Sequence, residues 1–440
     1  MIDYCCRIID DILGGFSRNI SLEVMVTIYF YLVFIEFPRY YLLETTLVLW
    51  RKLNYRKYRR LKKEARDKLY IENPLVTILA PGKNEGKHIF SLVRSLREQT
   101  YRNYEVIIVD DGSDDDTPLI CRDLEKAGYI DRYIRSNVRG GKASAANLGL
   151  EFARGKYVVH LDADSSLDRD AIEKILIPFY YDDNIKAVGG VVKVRNARDS
   201  ICASMQALEY LKTIQVGRMV TNHLGILHII SGAFGAFDRQ ALNHVGGWDI
   251  GPGLDGDLTQ KFRKAKFRVY FAEDAICMTA APVTWSALFR QRQRWSKSLV
   301  RFRLRKHADI FRPQRHFSFS NFFSNLETIL YDFIFNYVWF FYIIVLIMEH
   351  PDRLAEIFII GYLIRIIFNF IAFGVIMMVT ERPREEKWLI KFVPLTTFYT
   401  GYFLRVTRLI AHTKELFFFS SYKDSWNPRK TSEIAQAEGI

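Results

Sequence analysis

Two aspartates follow an apolar run in the segment KYVVHLDAD at residues 156–164. Asp162 and Asp164 are separated by one residue, so in an extended chain their side chains point the same way. Two carboxylates placed in this way can share one hard cation, such as Mg²⁺ or Mn²⁺. A lone acidic pair is common in proteins, and the apolar run before this pair is what favours a metal-binding site.

A second acidic group ends another apolar run, YEVIIVDD at residues 104–111, and precedes a Gly-Ser turn. Carboxylates at such a strand end can accept hydrogen bonds from a nucleotide base or from ribose hydroxyls. Asp110 and Asp111 are therefore candidate nucleotide-binding residues. The alternative interpretation is an aspartate-rich turn or helix cap.

A glycine pair next to a lysine occurs in NVRGGKASAANLG, residues 137–149. A mobile lysine beside exposed backbone N–H groups at a helix start suits a phosphate, which makes Lys142 a candidate phosphate ligand. The spacing is not that of a P-loop, because GxxxxGK[ST] is absent from the segment.

Gly-Pro-Gly interrupts the chain in GWDIGPGLDGDLT, residues 247–259, just before an amphipathic helical pattern. Asp255 lies where this pattern begins. It could be a helix N-cap, or a general base held at the end of a flexible loop.

The segment RQRQRWSK at residues 290–297 has four cationic residues and one tryptophan. On a helix, Gln291, Arg294 and Trp295 are spaced i, i+3 and i+4 and share one face. Such a cluster could hold a nucleic acid, an anionic membrane or a phosphate group, and Arg294 can fork onto phosphate oxygens.

Apolar runs that alternate with helical patterns must position these residues. Residues 74–285 predict an α/β domain with a Rossmann-like, mostly parallel sheet, because the runs at 75–80, 104–111 and 156–164 each end in polar or acidic residues. Functional groups would then gather at the carboxyl ends of the strands.

Long apolar blocks near both ends of the chain predict transmembrane helices around this domain. Residues 24–50 are long enough for one span, and the next 18 residues, 51–68, contain ten basic and two acidic residues. That juxtamembrane charge predicts a cytosolic catalytic domain, and its position argues against a nucleic-acid arm. Residues 326–348 and 355–380 predict two further spans, and 388–409 a broken or tilted helix.

The predicted domains follow from these blocks. They are an N-terminal segment with a transmembrane helix at 1–50, a basic linker at 51–73, the α/β domain at 74–285, amphipathic interface helices at 286–320, transmembrane helices at 321–412 and a tail at 413–440.

Composition sets outer limits on function. The 440 residues carry a formal net charge of +13, which favours a polyanionic partner or an anionic membrane surface. Five scattered cysteines without CxxC spacing predict reduced, cytosolic thiols and no metal cage. Cys5 and Cys6 lie near the first apolar block, where they could be acylated or simply be buried.

The ordered set PGKNE, VDDGSDDD, GGKASAAN, LDAD, SGAFGAF, LDGD and QRQRW, over residues 74–300, resembles family 2 glycosyltransferases with a GT-A fold. It is most similar to their membrane-embedded processive branch, which includes cellulose, chitin, hyaluronan and poly-N-acetylglucosamine synthases.

The resemblance implies roles for single residues. Asp255 stands at the position of the catalytic base, although Leu254 replaces a frequent glutamate and leaves Asp257 as an alternative base. Lys83 stands where the family often has an aromatic residue. Asp162 and Asp164 would bind Mg²⁺ or Mn²⁺. The implied nucleotide-sugar ligands are Glu85, Asp110, Asp111, Lys142, Asp162, Gln291 and Arg294.

Acceptor contacts would come from aromatic side chains. Trp295 offers a flat apolar face for a sugar ring, and Trp248 in GGW and Phe234 in SGAFGAF are further candidates. A core tryptophan is the alternative for Trp248. The helix after QRQRW carries Arg301, Arg303, Arg305 and Lys306, which predicts additional contact with anionic lipids.

The expected reaction is inverting transfer of a sugar from a nucleotide-diphosphate sugar, UDP-glucose or UDP-N-acetylglucosamine, to a growing β-linked polysaccharide that crosses the membrane. One alternative is transfer of a single sugar to a membrane lipid, and another is a scaffold without catalysis. The expected partners are membrane lipids and an export or regulatory protein or a second copy of the chain, with no nucleic acid. The expected location is the inner or plasma membrane, in a multi-pass arrangement.

Overall fold

The computed structural model describes residues 22–251, 253–312, 317–424 and 427–438. The chain divides into two compact units. The first, the helical unit, contains the chain up to Leu53 together with Ile329–Val406. The second, the α/β unit, contains Asn54–Thr328 and the chain from Thr407 onward.

One eight-stranded mixed sheet forms the centre of the α/β unit. Its strands are β1 Val76–Gly82, β2 Tyr104–Asp110, β3 Arg132–Arg135, β4 Tyr157–Leu161, β5 Ser166–Leu167, β6 Ile185–Val194, β7 Phe234–Asp238 and β8 Arg268–Thr279. The spatial order is β3-β2-β1-β4-β7-β6-β8-β5. Strands β1 to β4 are parallel, β8 is parallel to β6, and β7 lies antiparallel between β4 and β6. The predicted mostly parallel α/β fold is confirmed.

The strands β1, β2, β4, β6 and β7 are buried almost throughout, because side chains on both faces of the sheet pack into the unit. Ile78, Ile108 and Val159 belong to one core cluster with helix residues such as Leu92 and Ile172, and all are nearly inaccessible to solvent. This explains why the sequence shows continuous apolar runs instead of strict alternation.

The register of the central strands decides which residues meet at one edge. In the parallel ladders Gly82 lies opposite Asp110, and Leu79 lies opposite His160. Strands β1, β2 and β4 therefore end at the same edge, and the polar residues that follow them are brought together there.

Helices pack against the sheet of the α/β unit. The α-helices of the α/β unit are Tyr55–Glu72, Gly86–Arg97, Thr117–Lys126, Lys142–Glu151, Ala171–Leu176, Ile201–Tyr210, Arg218–His223, Arg239–His244, Leu254–Lys264, Trp285–Leu299, Phe319–Thr328 and Arg429–Glu438. π-helical turns at Leu211–Gly217 and Val300–Lys306 extend two of them.

Within the described residues, two helices are long and apolar enough to cross a membrane, namely Phe319–Glu349 and Pro351–Val379. They correspond to the two spans predicted at 326–348 and 355–380. The block at 388–409 is broken, as expected, because a 3-10 segment with an internal Pro394 precedes the helix Leu404–Phe418.

The first apolar block is helical but is not among these two candidates. Its described part consists of helical segments from Leu22 to Leu53 with π-helical turns at Tyr31–Glu36 and Pro38–Leu43. Its charged residues explain the difference, since Glu36, Arg39 and Glu44 interrupt the apolar run. Cys5 and Cys6 lie outside the described residues.

Two of the predicted segments contribute to the α/β unit. Within the predicted linker 51–73, the helix Tyr55–Glu72 packs in that unit, where Arg66 pairs with Glu173 at 2.5 Å. The tail predicted at 413–440 also belongs to that unit. Amphipathic patterning alone could not distinguish a docked helix from an exposed one.

A charged cluster lies inside the helical unit. Glu36 contacts Arg365 at 3.1 Å and Arg405 at 2.5 Å, and Arg405 also donates a hydrogen bond to the Tyr31 hydroxyl at 2.8 Å. These side chains come from three separate helical segments. The cluster therefore neutralises charges that would be costly in an apolar environment and joins the segments to one another.

We expect Glu36→Gln to lower the free energy of unfolding by about 3–5 kcal/mol, because both guanidinium groups lose their buried carboxylate. Thermal or denaturant unfolding in detergent would measure the change. Glu64→Gln is the control, since the Arg60–Glu64 pair is solvent-exposed and contributes less than about 1 kcal/mol. Equal effects of the two substitutions would contradict the prediction.

Candidate active site

Asp162 and Asp164 follow β4 at the common strand edge. Ala163 between them is buried, whereas both aspartates are partly exposed. Asp162 is ion-paired with Lys142. The Oδ1 atom of Asp164 is buried and has no hydrogen-bond partner among the described residues, which leaves it able to coordinate a cation.

Glu85 adds a third carboxylate to this edge. It follows β1 and directly precedes the helix Gly86–Arg97. Burial and the nearby Asp164 and Asp162 raise the pKa of Glu85 to about 7. Burial and Asp162 likewise raise the pKa of Asp164. The cluster therefore has an excess of negative charge that favours binding of a cation.

The metal-binding prediction is compatible with this geometry. No group of three His, Cys, Asp or Glu side chains suited to a metal occurs in the part of the chain that the structure describes. A Mg²⁺ or Mn²⁺ ion needs only one or two protein carboxylates when phosphate oxygens of a substrate complete its shell. Asp162 and Asp164 provide that pair.

Lys142 is the first residue of the helix Lys142–Glu151 and follows Gly141, whose φ is +88°. The positive φ explains the glycine, because other residues adopt this conformation only with strain. Burial opposes the charge of Lys142, but Asp162 and Asp255 outweigh burial and raise its pKa. Lys142 therefore remains cationic between the metal motif and Asp255.

Asp111 positions the glycine pair before Lys142. Its carboxylate accepts hydrogen bonds from the backbone N–H of Gly140 at 2.7 Å and of Gly141 at 2.9 Å. Asp111 is therefore placed to shape the loop that carries Lys142.

Asp110, one of the predicted nucleotide ligands, ends β2, and its contact with a nucleotide stays a prediction. It is buried, and its carboxylate accepts hydrogen bonds from the Ser113 N–H at 2.7 Å and the Tyr133 hydroxyl at 2.8 Å. Its position at the end of β2 within the sheet gives it a structural role in the turn.

Asp255 and Asp257 occupy opposite environments although they are two residues apart in the helix Leu254–Lys264. Asp257 pairs with Lys306 at 2.6 Å and with His307 at 2.7 Å. Asp255 instead accepts a hydrogen bond from the Gly232 N–H at 2.7 Å and lies within electrostatic range of Lys142 and Asp162. The geometry thus favours Asp255 over Asp257 as the base.

The backbone at Gly232 holds Asp255 closely. A Cβ atom at position 232 would lie 2.1 Å from the Oδ1 of Asp255, so only glycine fits. The carbonyl oxygen of Gly232 lies 2.7 Å from Nδ1 of the buried His160, and burial lowers the pKa of that imidazole to about 4. The SGAFGAF segment therefore positions the candidate base through its backbone.

Trp248 and Phe234, two of the predicted acceptor contacts, are buried. Trp248 is 3% exposed and packs edge-on against Phe237, while Asn147 bonds its backbone N–H and carbonyl groups. Phe234 is fully buried in β7. This burial favours the core alternative for Trp248, and acceptor contact by either ring stays a prediction.

Gln291, Arg294 and Trp295 lie on the helix Trp285–Leu299, as predicted. Gln291 and Arg294 are half-buried, whereas Trp295 is 44% exposed. Arg292 lies 4.4 Å from the centre of the Trp295 ring and pairs with Glu209 at 2.9 Å. Of the three predicted aromatic acceptor residues, Trp295 alone is accessible.

The basic residues after this helix do not face lipid as predicted. Arg301 and Arg303 are buried, Arg305 pairs with Glu415 at 2.8 Å, and Lys306 pairs with Asp257. In the folded protein these basic side chains contact carboxylates and backbone carbonyls of other segments, and the amphipathic pattern could not predict those contacts.

Arg218 and Tyr210 are site residues that the motif analysis missed. Arg218 lies within electrostatic range of Asp255, and burial lowers the pKa of its guanidinium to about 10. Tyr210 is buried within electrostatic range of Asp164. They lie on a helical stretch without any recognisable motif, so spacing gave no signal.

We expect Asp257→Asn to lower the free energy of unfolding by about 2–3 kcal/mol near neutral pH, because Lys306 and His307 lose their charged partner. The pKa of Asp257 is held at about 2, mainly by His307 and Lys306 against the opposing effect of burial. This stabilisation is present above a pH of about 4 and is lost as the pH falls through about 2.

Unfolding measured at several pH values would test this expectation. Asp255→Asn is the matched comparison, since burial raises the pKa of Asp255 and its charge costs stability. A larger loss of stability for Asp255→Asn than for Asp257→Asn would refute the assignment.

Comparisons with known proteins identify relatives of this chain. The family model for glycosyl transferase family 2 matches residues 77–246. The poly-beta-1,6-N-acetyl-D-glucosamine synthase of Staphylococcus epidermidis is 30% identical over 223 residues, 50% of this chain and 54% of that protein. The synthase of the same name from Staphylococcus aureus is 30% identical over 261 residues, 59% of this chain and 63% of that protein.

The match therefore spans less than two thirds of the length of these curated relatives. Among solved structures, a mannosyltransferase from Pyrobaculum calidifontis, in complex with GDP-Man and Mn²⁺, has a TM-score of 0.52 at 20% identity. The likeness covers 81% of this chain and 96% of that one, and it concerns the fold. Residues 77–246 are therefore similar to family 2 glycosyltransferases, and the mostly parallel sheet has the fold of the Pyrobaculum calidifontis mannosyltransferase.

Proposed function

We propose that this enzyme transfers N-acetylglucosamine from UDP-N-acetylglucosamine, with inversion, to the end of a growing β-linked polysaccharide. The single observation that carries the proposal is the placement of Asp255. Its carboxylate is held by the Gly232 N–H at 2.7 Å and lies within electrostatic range of Lys142 and Asp162. A base and a phosphate-binding group are thus combined in one site.

The choice of sugar is supported by the two staphylococcal relatives, which are named poly-beta-1,6-N-acetyl-D-glucosamine synthases. UDP-glucose is the other donor that the motifs allow. Because the match covers only part of those relatives, the identity of the donor sugar and the repeated addition of sugars to one polymer are both parts of the proposal.

Asp255 acts as the general base toward the acceptor hydroxyl. Burial raises the pKa of Asp255, whereas Lys142, the Gly232 N–H and Arg218 lower it. Because these opposing effects act on its pKa, the carboxylate can be ionised when the acceptor binds and can then accept the proton of the acceptor hydroxyl. A single base acting on the acceptor gives one displacement, so an α-linked donor yields a β-linkage.

Positive charge stabilises the leaving diphosphate. Lys142 lies at a helix N-terminus next to Gly141, where backbone N–H groups also favour an anion. Arg294 on the helix Trp285–Leu299 can fork onto phosphate oxygens, and Gln291 on the same face assists in closing the site. Glu85 and Asp111 are proposed to contact the nucleotide, Asp111 through the loop that it shapes.

Asp162 and Asp164 would hold Mg²⁺ or Mn²⁺. The unpartnered Oδ1 of Asp164 and the excess of carboxylates around it fit a hard cation. When bound, the ion acts as a Lewis acid that offsets the charge of the diphosphate. The structural neighbour from Pyrobaculum calidifontis, whose complex contains Mn²⁺, supports the choice of metal.

The acceptor end of the polymer is proposed to stack on Trp295. The indole is accessible and already borders the cationic Arg292. An aromatic face suits the apolar face of a sugar ring and tolerates successive sugars of the same kind. We propose that the enzyme is multi-pass in the inner or plasma membrane, with its α/β unit cytosolic beside the basic segment 51–68.

Translocation of a polymer requires a path through the membrane. The described residues contain two helices that qualify as spans by length and composition. An export or regulatory partner, or a second copy of the chain, is therefore part of the proposal.

The deciding experiment is nucleotide release by the purified full-length protein in detergent. UDP-sugars and GDP-sugars would each be offered with Mg²⁺ or Mn²⁺, and product size would be measured on a gel. We expect a high-molecular-weight product from UDP-N-acetylglucosamine, and Asp255→Asn should lower turnover by about 10²- to 10⁴-fold while donor binding persists.

Other results would replace the proposal. Products limited to a single sugar on a lipid would establish the lipid-acceptor alternative. Binding of nucleotide without turnover of any donor would indicate a scaffold. Unchanged turnover by Asp255→Asn would remove Asp255 as the base.

A further inference from the structure

One helix links two parts of the candidate site. It is Trp285–Leu299, which follows β8. At the end of β8, the Oγ1 atom of Thr279 lies 3.5 Å from the Oδ2 atom of Asp164 in the metal motif. Near the other end of the helix, the Cβ of Ser298 would lie 3.1 Å from a Cβ atom at Gly253, the residue that directly precedes the helix of the candidate base. Both ends of Trp285–Leu299 are therefore next to the candidate site.

Arg292 lies against the indole of Trp295 on this helix. The two residues are three positions apart, so their side chains are neighbours on the helix surface. The guanidinium carbon of Arg292 lies over the ring, 4.4 Å from its centre, which is the geometry of a cation–π contact. Trp295 is 44% exposed, so part of the indole is open to a ligand.

A second helix, Ile201–Tyr210, fixes the position of Arg292. The Nη2 atom of Arg292 donates a hydrogen bond to Oε2 of Glu209 at 2.9 Å, and the two side chains are only 11% and 8% exposed. The ring of Tyr210 lies on another side, with its centre 5.6 Å from the guanidinium carbon. Solvent and salt screen a pair of this kind much less than an exposed pair, so the guanidinium is held firmly.

We propose that Arg292 is a positioning residue, which holds the Trp295 indole in the orientation in which the acceptor sugar stacks on it. The guanidinium occupies one face of the indole, and the sugar takes the opposite face. A ring that is already fixed loses less conformational freedom when the acceptor binds, which strengthens binding. The inference rests on the proposed function, which assigns the acceptor contact to Trp295.

The role of Arg292 differs from that of Arg294, although both are arginines of the same helix. Arg294 is the proposed phosphate ligand, whereas the charge of Arg292 is paired with Glu209. A substitution at Arg292 is therefore expected to act on acceptor binding and to leave donor binding nearly unchanged.

A double-mutant cycle on the full-length protein in detergent tests the inference. Arg292→Gln is made in the wild type and in Trp295→Leu, and binding of a β-linked N-acetylglucosamine tetrasaccharide and of UDP-N-acetylglucosamine is measured by calorimetry. Acrylamide quenching of Trp295 without ligand is obtained as the difference between each protein and its Trp295→Leu counterpart. Arg66→Gln is the matched control, since Arg66 pairs with Glu173 at 2.5 Å and lies 5.6 Å from the centre of the Tyr70 ring.

We expect Arg292→Gln to weaken tetrasaccharide binding by about five- to tenfold, to change donor binding by less than about twofold, and to increase quenching of Trp295. In Trp295→Leu the same substitution has little further effect, because Arg292 acts through the indole. Arg292→Lys restores only part of the binding, since an ammonium group keeps the charge but not the planar stacking. Arg66→Gln leaves both tetrasaccharide binding and Trp295 quenching unchanged.

Folding is checked by the melting temperature, because Arg292→Gln leaves the buried Glu209 without this charged partner. If that variant does not fold, Glu209→Gln combined with Arg292→Gln takes its place, since the two substitutions remove both charges of the pair together.

Equal weakening of tetrasaccharide binding in the wild type and in Trp295→Leu overturns the inference, because Arg292 then acts independently of the indole. Unchanged quenching of Trp295 overturns it, and so does equal weakening of donor and acceptor binding. A wild type that transfers a single sugar to a lipid, or that binds the donor but not the tetrasaccharide, refutes the proposed acceptor. The quenching measurement needs no substrate and still decides whether Arg292 fixes the indole.

Discussion

Crowding of carboxylates at one edge of the sheet is the constraint on which the site depends. Parallel strands that end together bring Glu85, Asp162 and Asp164 close to one another, and Asp162 also lies within electrostatic range of Asp255. Burial and repulsion between carboxylates raise the pKa values of Glu85, Asp164 and Asp255. Lys142 offsets only part of this charge. Crowded carboxylates of this kind favour binding of a cation, and their oxygen atoms suit Mg²⁺ or Mn²⁺.

The same physics separates two aspartates that the sequence places almost side by side. Asp257 pairs with Lys306 and His307, which hold its pKa at about 2 against the opposing effect of burial. Asp255 instead accepts a hydrogen bond from the Gly232 N–H, and burial raises its pKa. Environment, and not residue type, separates the two aspartates, and this difference supports the proposal that Asp255 is the base.

Several basic side chains of this protein are buried, which its composition alone does not predict. The net charge of +13 predicts an anionic surface as partner, yet Arg301 and Arg303 are buried and Arg305 is paired with Glu415. These contacts fix the helix that carries Arg294 and Trp295 against the α/β unit. Some of the basic residues, namely Arg301, Arg303 and Arg305, therefore stabilise the position of the helix Trp285–Leu299.

The sequence by itself determined the sheet, the order of the motifs and the placement of Asp162, Asp164 and Lys142, because apolar runs and strand ends are local properties. Only the tertiary structure decided that Trp248 is buried and that Asp257, but not Asp255, pairs with Lys306 and His307. Those outcomes depend on which segments pack together across long separations, and neither periodicity nor spacing contains that information.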